Sequence, residues 1–414
     1  MYRMSRLVRS NKKRELAEKA LEKKPSIGED IDIVSYSSDA ESHPYQDMLS
    51  DLPADEKTSM LGVGVTIDDV GQRSGTFIQK DSSVIHASSG QEGVEVLSIT
   101  KALETYDWLE EYWWKAVSVD TDKFTAHAEI DLQNGYFIRA LPGEKSVFPV
   151  QACLYLAHRN LAQKVHNIII AEEDSELHII TGCATRPMQA SGLHIGISEF
   201  YIKRGAKLTF TMIHNWAPEI AVRPRSGAIV EENGVFLSNY VSMKPVRSLQ
   251  MYPVARCTGD KAIVRFNSIM VAPPDSTLDT GSKVLLDARG SRAEIIARTI
   301  TTGGTVIARG YIGGNAPEVK GHLECRGLIL SETGIIHAIP ELRGELAGVD
   351  LSHEAAVGKI AEEEVEYLMS RGLTRDEATA MIVRGFLRVD IEGLPAQLAD
   401  ELRQAVELSQ KDLM

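Results

Sequence analysis

His166–Ile180 reads HNIIIAEEDSELHII, and FYIKRGAKLTFTMI follows at 200–213. Each holds two short apolar or alternating runs on either side of a tight turn, marked by Asp174 in the first and Gly205 in the second. The same grammar returns in GAIVEENGVFLSNYV (227–241), KAIVRFNSIMVA (261–272), KVLLDARGSRAEIIARTI (283–300) and GIIHAIPEL (334–342). The markers Asp174, Gly205, Gly234, Gly259 and Gly290 are separated by 31, 29, 25 and 31 residues. A near-regular spacing of this size predicts stacked supersecondary units. Strands of about five residues with several turns per unit fit a parallel β-helix, or solenoid, better than a β-sandwich, which is the alternative. In a solenoid each coil buries its inward side chains on its neighbours, and open edges can accept a partner's strands.

Working outward divides the chain into an N-terminal helical or mixed region (1–100), an aromatic-rich docking segment (101–147), a β-helix core (148–350) and a C-terminal helical domain (351–414). Residues 1–24 carry nine Lys and Arg among helix formers, which reads as a solvated basic helix. Residues 29–58 turn acidic and poor in apolar side chains, as in a mobile linker or loosely packed helices. GVGVTID (62–68) and SSVIHAS (82–88) alternate as strands do. Trp108, Trp113 and Trp114 crowd into LETYDWLEEYWWKAV with Tyr106 and Tyr112. On a helix Trp108 and Tyr112 would share a face, which suits a segment docked on the body; a protein-interaction surface is the other reading.

Past Val357 the period becomes helical. Val365, Leu368 and Met369 form one face, Gly372 is placed to stop the helix, and Thr374 with Glu377 has the spacing of a capping box for a second. Pro395 heads a third, AQLADELRQAVEL.

The formal charge of −13, from 58 acidic and 45 basic residues, disfavours nucleic acid as the main partner. No apolar run is long enough to span a bilayer, and the charged N-terminus lacks the apolar stretch of a secretory signal. Cys153, Cys183, Cys257 and Cys325 are scattered without a CxxC pair, which fits a reducing cytoplasm better than a disulfide framework or structural zinc. Gly62-Val63-Gly64 lacks the third glycine of a dinucleotide fingerprint. Gly358-Lys359 is followed by Ile360 rather than Ser or Thr, so no phosphate-binding loop is present. A β-helix carbohydrate-active enzyme needs two carboxylates across a groove, and no pattern around Asp287 or elsewhere singles out such a pair.

Chemistry concentrates between Gly321 and Gly358. Cys325 lies on an alternating run with His322 just before it, and His337 sits on the next apolar run. Ser352, His353 and Glu354 follow Asp350 in what reads as a loop. Thiolate, imidazole and carboxylate can hold iron or accept sulfur. Taken singly, a strand cysteine is more often a small buried hydrophobe.

GHLECRGLIL (321–330) and SHEAAVGKIAEEEVEYLMSRGLTRDEATAMIVRGF (352–386) resemble the C-terminal signature of the SufB/SufD family, scaffold subunits of the iron–sulfur cluster assembly complex that works with a SufC-type ABC ATPase. The resemblance runs from about Glu95 to Leu394. It implies a mainly β fold, a right-handed parallel β-helix flanked by helical regions at both ends. It implies that Cys325 holds sulfur or nascent cluster near a subunit interface, joined by His353 and Glu354. Glu354 matches a carboxylate of SufB that SufD replaces with glycine. The helices around Tyr367, Leu368, Met369, Arg371 and Gly372 would dock the ATPase. Two features depart from SufB: Ser352 stands where SufB has a glutamate, and Arg326 stands where an acidic residue is usual. The chain thus mixes SufB-like and SufD-like features, and the expectation is a subunit that pairs with itself or with a related subunit. The resemblance further implies a non-catalytic cytoplasmic scaffold carrying a transient iron–sulfur cluster of unspecified type, served by a sulfur donor and an iron source, with a flavin possible in the assembled complex. A cluster-free regulatory subunit of the same complex is the alternative; an accessory subunit of a membrane transporter has no membrane segment to support it.

Overall fold

The computed structural model describes residues 11–67, 71, 73–186, 191–243 and 246–387. Two parallel sheets face each other and the chain alternates between them, so the expected mainly β solenoid is what forms. One sheet runs through Gly75–Lys80, Val150–Leu156, Glu176–Thr185, Lys207–Asn215, Val235–Ser242, Ile263–Ala272, Arg292–Thr301, Lys320–Ile329 and Asp350–Lys359. The other includes Tyr136–Ala140, Ala162–Ala171, Gly192–Ile202, Thr277–Leu286, Thr305–Gly314 and Ile335–Gly344. In the middle of this second sheet, Pro224 and Pro253 interrupt two strands, because proline has no N–H to give the ladder.

Alternate residues point into the space between the sheets. Phe200 packs on Phe210 and Phe236 with ring centres 4.7 and 5.0 Å apart, and Phe236 on Phe266 at 5.9 Å, so aromatic rings stack from coil to coil. The corners are as regular as the core. Positive φ occurs at Asp174, Gly205, Asn233, Lys261, Gly290, Glu318 and Gly348, with successive separations of 31, 28, 28, 29, 28 and 30 residues. Each of the first five donates its N–H to a carbonyl of the next coil, at 2.9–3.1 Å. This column refines the markers read from sequence. Gly205 holds a positive φ of +71°, whereas Gly234 and Gly259 do not occupy it and Asn233 and Lys261 do. Gly259 is needed for a different reason: a Cβ there would lie 1.9 Å from the Glu232 nitrogen.

The ends differ. At the start, Ser83–Ser89 and Val94–Ser98 pair antiparallel with Gly75–Lys80 and Tyr136–Ala140 and close the first coil. At the far end, Ile335–Gly344 and Asp350–Lys359 each pair with one strand only among the described residues. Strand structure thus continues through Lys359, beyond the core boundary expected at 350, and His353 and Glu354 stand on an edge strand instead of a loop. The parallel ladder to Lys320–Ile329 outweighs the polar, loop-like composition of DLSHE.

Other local expectations changed as well. Val63, Val65 and Ile67 are buried, but GVGVTI forms turns after the helix Ala54–Leu61 and packs on the outside of a sheet without joining it. The acidic segment 29–58 is pinned by buried Ile31 and Ile33 and by backbone exchange between Ser37 and both Asn160 and Ala162. The basic helix, Asn11–Ala20 among the described residues, buries Ala17 and Ala20 on one side and so is not solvated all round. The tryptophan segment is a short 3-10 turn, Asp107–Glu111, followed by irregular chain. Trp108 and Tyr112 still meet, ring centres 5.7 Å apart. Its docking is firm: the Glu199 carboxylate, wholly buried, accepts the N–H groups of Trp114, Ala116 and Val117 and faces His166 and the Tyr201 hydroxyl. Helices Glu362–Ser370 and Arg375–Leu387 close the described chain; Gly372 ends the first at φ +97°, and Thr374 and Glu377 form the expected cap on the second. The helix expected from Pro395 lies outside the described residues.

Candidate functional site

Lys320–Ile329 alternates strictly: Gly321, Leu323, Cys325 and Gly327 face the interior, while His322, Glu324 and Arg326 face out. Cys325 is 2% exposed. Its thiol sits in a gap lined by Ala297, Ala308, Ile336, Ala338 and Val357 that is too narrow for a water molecule. Burial pushes this thiol up to about 11, with Glu324 adding to the effect and Arg298 opposing it. In this closed arrangement it is a poor nucleophile and a poor ligand, since the thiolate is the reactive form.

One coil further on lies the edge. The register pairs Leu323 with His353, Glu324 with Glu354, and Cys325 with Ala355. His353 therefore belongs to the same inward-facing set as Cys325, diagonally placed on the edge strand, and is solvent-exposed. Glu354 belongs to the outward set, where Arg326 holds it at 2.9 Å. The structure brings Cys325 and His353 to one face and puts Glu354 on the other. Among the described residues no three His, Cys, Asp or Glu side chains converge as a metal site.

The outer face carries its own pattern. Arg298 pairs with Glu324, Glu324 with Arg326 at 2.8 Å, and Arg326 with Glu354, so alternating charges run up the sheet to the edge. Arg326, which departs from the usual acidic residue, is the link between the two glutamates. His322 Nδ1 lies 2.9 Å from the Ser352 hydroxyl, and His337 is exposed on the other sheet. Arg298 and Glu324 escape sequence reading because they are 26 residues apart and meet only through coil register. Cys153 and Cys257 are pushed up to about 12 by burial, and Cys183 is pushed up as well; all are buried and free.

On the first C-terminal helix Tyr367 and Met369 are exposed. The Arg371 guanidinium lies 5.2 Å from the Tyr367 ring and donates to its hydroxyl at 3.2 Å. Behind them, Val365 is buried, and on the second helix Val383 packs into the cluster that holds Ile300 and Leu328. The helix pair thus rests on the outside of the sheet that carries Cys325.

Residues 154–386 match the family model described as SUF system FeS cluster assembly, SufBD core domain. The chain belongs to the SufBD family. It is 50% identical over 404 residues to an iron–sulfur cluster assembly SufBD family protein of Methanothermobacter thermautotrophicus, covering 96% of this chain and 98% of that one. A SufBD family protein of Archaeoglobus fulgidus is 53% identical over 359 residues, covering 87% and 96%. The iron–sulfur cluster assembly protein SufB of Bacillus subtilis is 27% identical over 371 residues, covering 86% and 78%. As a SufBD protein the chain is an iron–sulfur cluster assembly protein, and the matched region takes in both the Cys325 coil and the C-terminal helices. No described helix is long and apolar enough to cross a membrane.

Proposed function

We propose that this SufBD protein is a scaffold on which an iron–sulfur cluster is built at a subunit interface formed along the open end of the solenoid. The observation that carries this reading is the placement of Cys325 one coil inside an edge left unpaired among the described residues, with His353 on the edge strand and on the same face. A thiolate and an imidazole from one chain are too few to trap a cluster, and pairing two such edges would double the set. Exposed Ile335, Leu346 and Val357 around the open end suit burial against a second copy or a related subunit. Glu354 would act as an outward carboxylate that delivers or holds iron once Arg326 releases it. The cluster is cargo here, and the chain itself turns over no small substrate.

Access to Cys325 needs work, because the gap is closed and the thiol protonated. A bound ABC-type ATPase seated on Tyr367, Leu368, Met369, Arg371 and Gly372 supplies it in this reading. Movement of the helix pair would strain the sheet beneath and part the last coils. Sulfur and iron would come from separate donors in the cytoplasm, and a flavin would belong to the assembled complex. The second reading, a cluster-free regulatory subunit, is favoured by one observation: Glu354 faces away from Cys325 and is neutralised by Arg326.

Anaerobic reconstitution with ferrous iron and sulfide separates the two. Wild type is expected to gain a brown chromophore that Cys325→Ser and His353→Ala lose. No cluster on wild type, even with its ATPase and nucleotide, would refute the scaffold reading and leave the regulatory one.

A further inference from the structure

Far from the open end, on the outside of the second sheet, Arg223 is completely buried. Its Nη1 donates to the carbonyls of Val222 and Ser248 at 2.9 and 3.1 Å, and Nη2 to the Ser248 hydroxyl at 2.8 Å. Its Nε–H has no partner among the described residues. The Glu29 carboxylate is 3.6 Å from Nη2, too far for a hydrogen bond, and instead accepts from the Ser248 hydroxyl at 3.0 Å. Two donors of one guanidinium therefore remain unspent, Nε–H and one Nη2–H. The Nε–Nη2 edge of a guanidinium is the fork which binds a carboxylate or phosphate with two parallel hydrogen bonds.

The surroundings are short of negative charge. Arg225 is satisfied by Asp122 at 2.7 Å and by Gln250 at 2.6 Å. Both guanidinium groups stand by the Phe124 ring, at 5.9 and 5.1 Å. Burial, together with Arg225 and Arg247, pulls Arg223 down to about 10, against the opposing pull of Glu29. Among the described residues Glu29 is the one carboxylate paired with Arg223, and its side chain is half-exposed. Lys123 is no competitor for it, being paired with Asp30. A buried charge left with half a partner is costly, so evolution of an apolar residue here would be the simpler stable solution.

We propose that Arg223 and the Ser248 hydroxyl form a binding site for a small free oxyanion of the phosphate class, held shut by Glu29 as an internal stand-in. The anion takes the Nε–Nη2 edge of Arg223 and the Ser248 hydroxyl, and Glu29 swings into the solvent it already half faces. The backbone of the segment need not move, since buried Ile31 and Ile33 anchor it beside Glu29.

The test is calorimetric titration of the full chain with inorganic phosphate at constant ionic strength. An internal competitor that occupies its site nine-tenths of the time weakens apparent affinity about tenfold. Glu29→Gln is therefore expected to bind phosphate at least about tenfold more tightly than wild type. Adding Ser248→Ala to Glu29→Gln should undo most of that gain; Glu29 is exposed, and Ser248→Ala removes a single hydroxyl, so both chains are expected to fold. Equal affinities for wild type and Glu29→Gln, or a gain indifferent to Ser248→Ala, would overturn the site.

Discussion

The protonation and enclosure of Cys325 make a quantitative forecast for its reactivity. Burial raises the thiol from the usual 9.0 to about 11. At about pH 7.5, well below both values, this displacement lowers the thiolate population about a hundredfold. The more basic thiolate is the better nucleophile, and with a Brønsted coefficient near ~0.45 that returns about tenfold. Acidity alone therefore slows alkylation about tenfold relative to the unfolded chain. The closed gap adds to this, because a reagent larger than water enters only when the edge opens. Iodoacetamide labelling, followed by mass spectrometry of the peptide holding Cys325, should show native wild type reacting far more than about tenfold slower than in denaturant. Ile336→Ala widens the gap from the opposite sheet and should bring the rate back toward the roughly tenfold limit set by acidity. Since the folded value is about 11, the rate should also climb about tenfold per pH unit from about 7.5 to 9.5. Native labelling of Cys325 at the denatured rate would refute both the enclosure and the need for an opening partner.

The body of the solenoid yields three further expected outcomes. Burial holds His194 down to about 3 and His214 well below its usual range, so both are neutral when folded and charge on unfolding. Their contribution is complete above pH 6.5 and shrinks as pH falls; at about pH 4.5 His194 alone costs about 2.7 kcal/mol, His214 adds in the same direction, and urea midpoints should drop accordingly. A midpoint flat from about pH 7 to 4.5 would contradict their burial as neutral imidazoles. Replacing Glu199 with Leu strands the N–H groups of Trp114, Ala116 and Val117, at about 1–3 kcal/mol each, and should lower unfolding free energy by several kcal/mol while changing tryptophan fluorescence. A loss under about 1 kcal/mol would show that this carboxylate does not hold the segment. Gly259→Ala drives a methyl into the backbone of Glu232 and should cost about 1–3 kcal/mol by denaturant titration; an unchanged midpoint would mean the coils have slack.

Much of the fold was legible because it is written in a local code. Turn residues at Asp174, Gly205 and Gly290 recur in step with the coils, and each is found in the corner column. In Asn233-Gly234 both residues signal a turn and the glycine draws the marker, while Lys261 is no turn signal; hydrogen bonds to the next coil hold both corners. The helix stop at Gly372 and the Thr374–Glu377 cap were readable for the same reason, being settled within a few residues. GVGVTI misled because alternation reports a buried face and says nothing about strand pairing. The site was half legible. Residue type and motif pointed to Cys325, His353 and Glu354, but which side of the sheet each faces depends on register across a coil of about thirty residues. The link from Glu324 through Arg326 to Glu354 has no sequence signature at all.

The regularity of the corner column bears on size. Because five successive corners repeat the same hydrogen bond, length along the stack is quantised: the ten-stranded sheet measures nine spacings, roughly 43 Å at ~4.8 Å each. Gain or loss of one complete coil, some 28–31 residues, would shift the distance from the closed first coil to the open edge by a single spacing and leave every other contact type intact. A fraction of a coil would break the column. The solenoid is thus a ruler with fixed graduations, and related chains that keep its ends compatible can differ in reach only by whole steps.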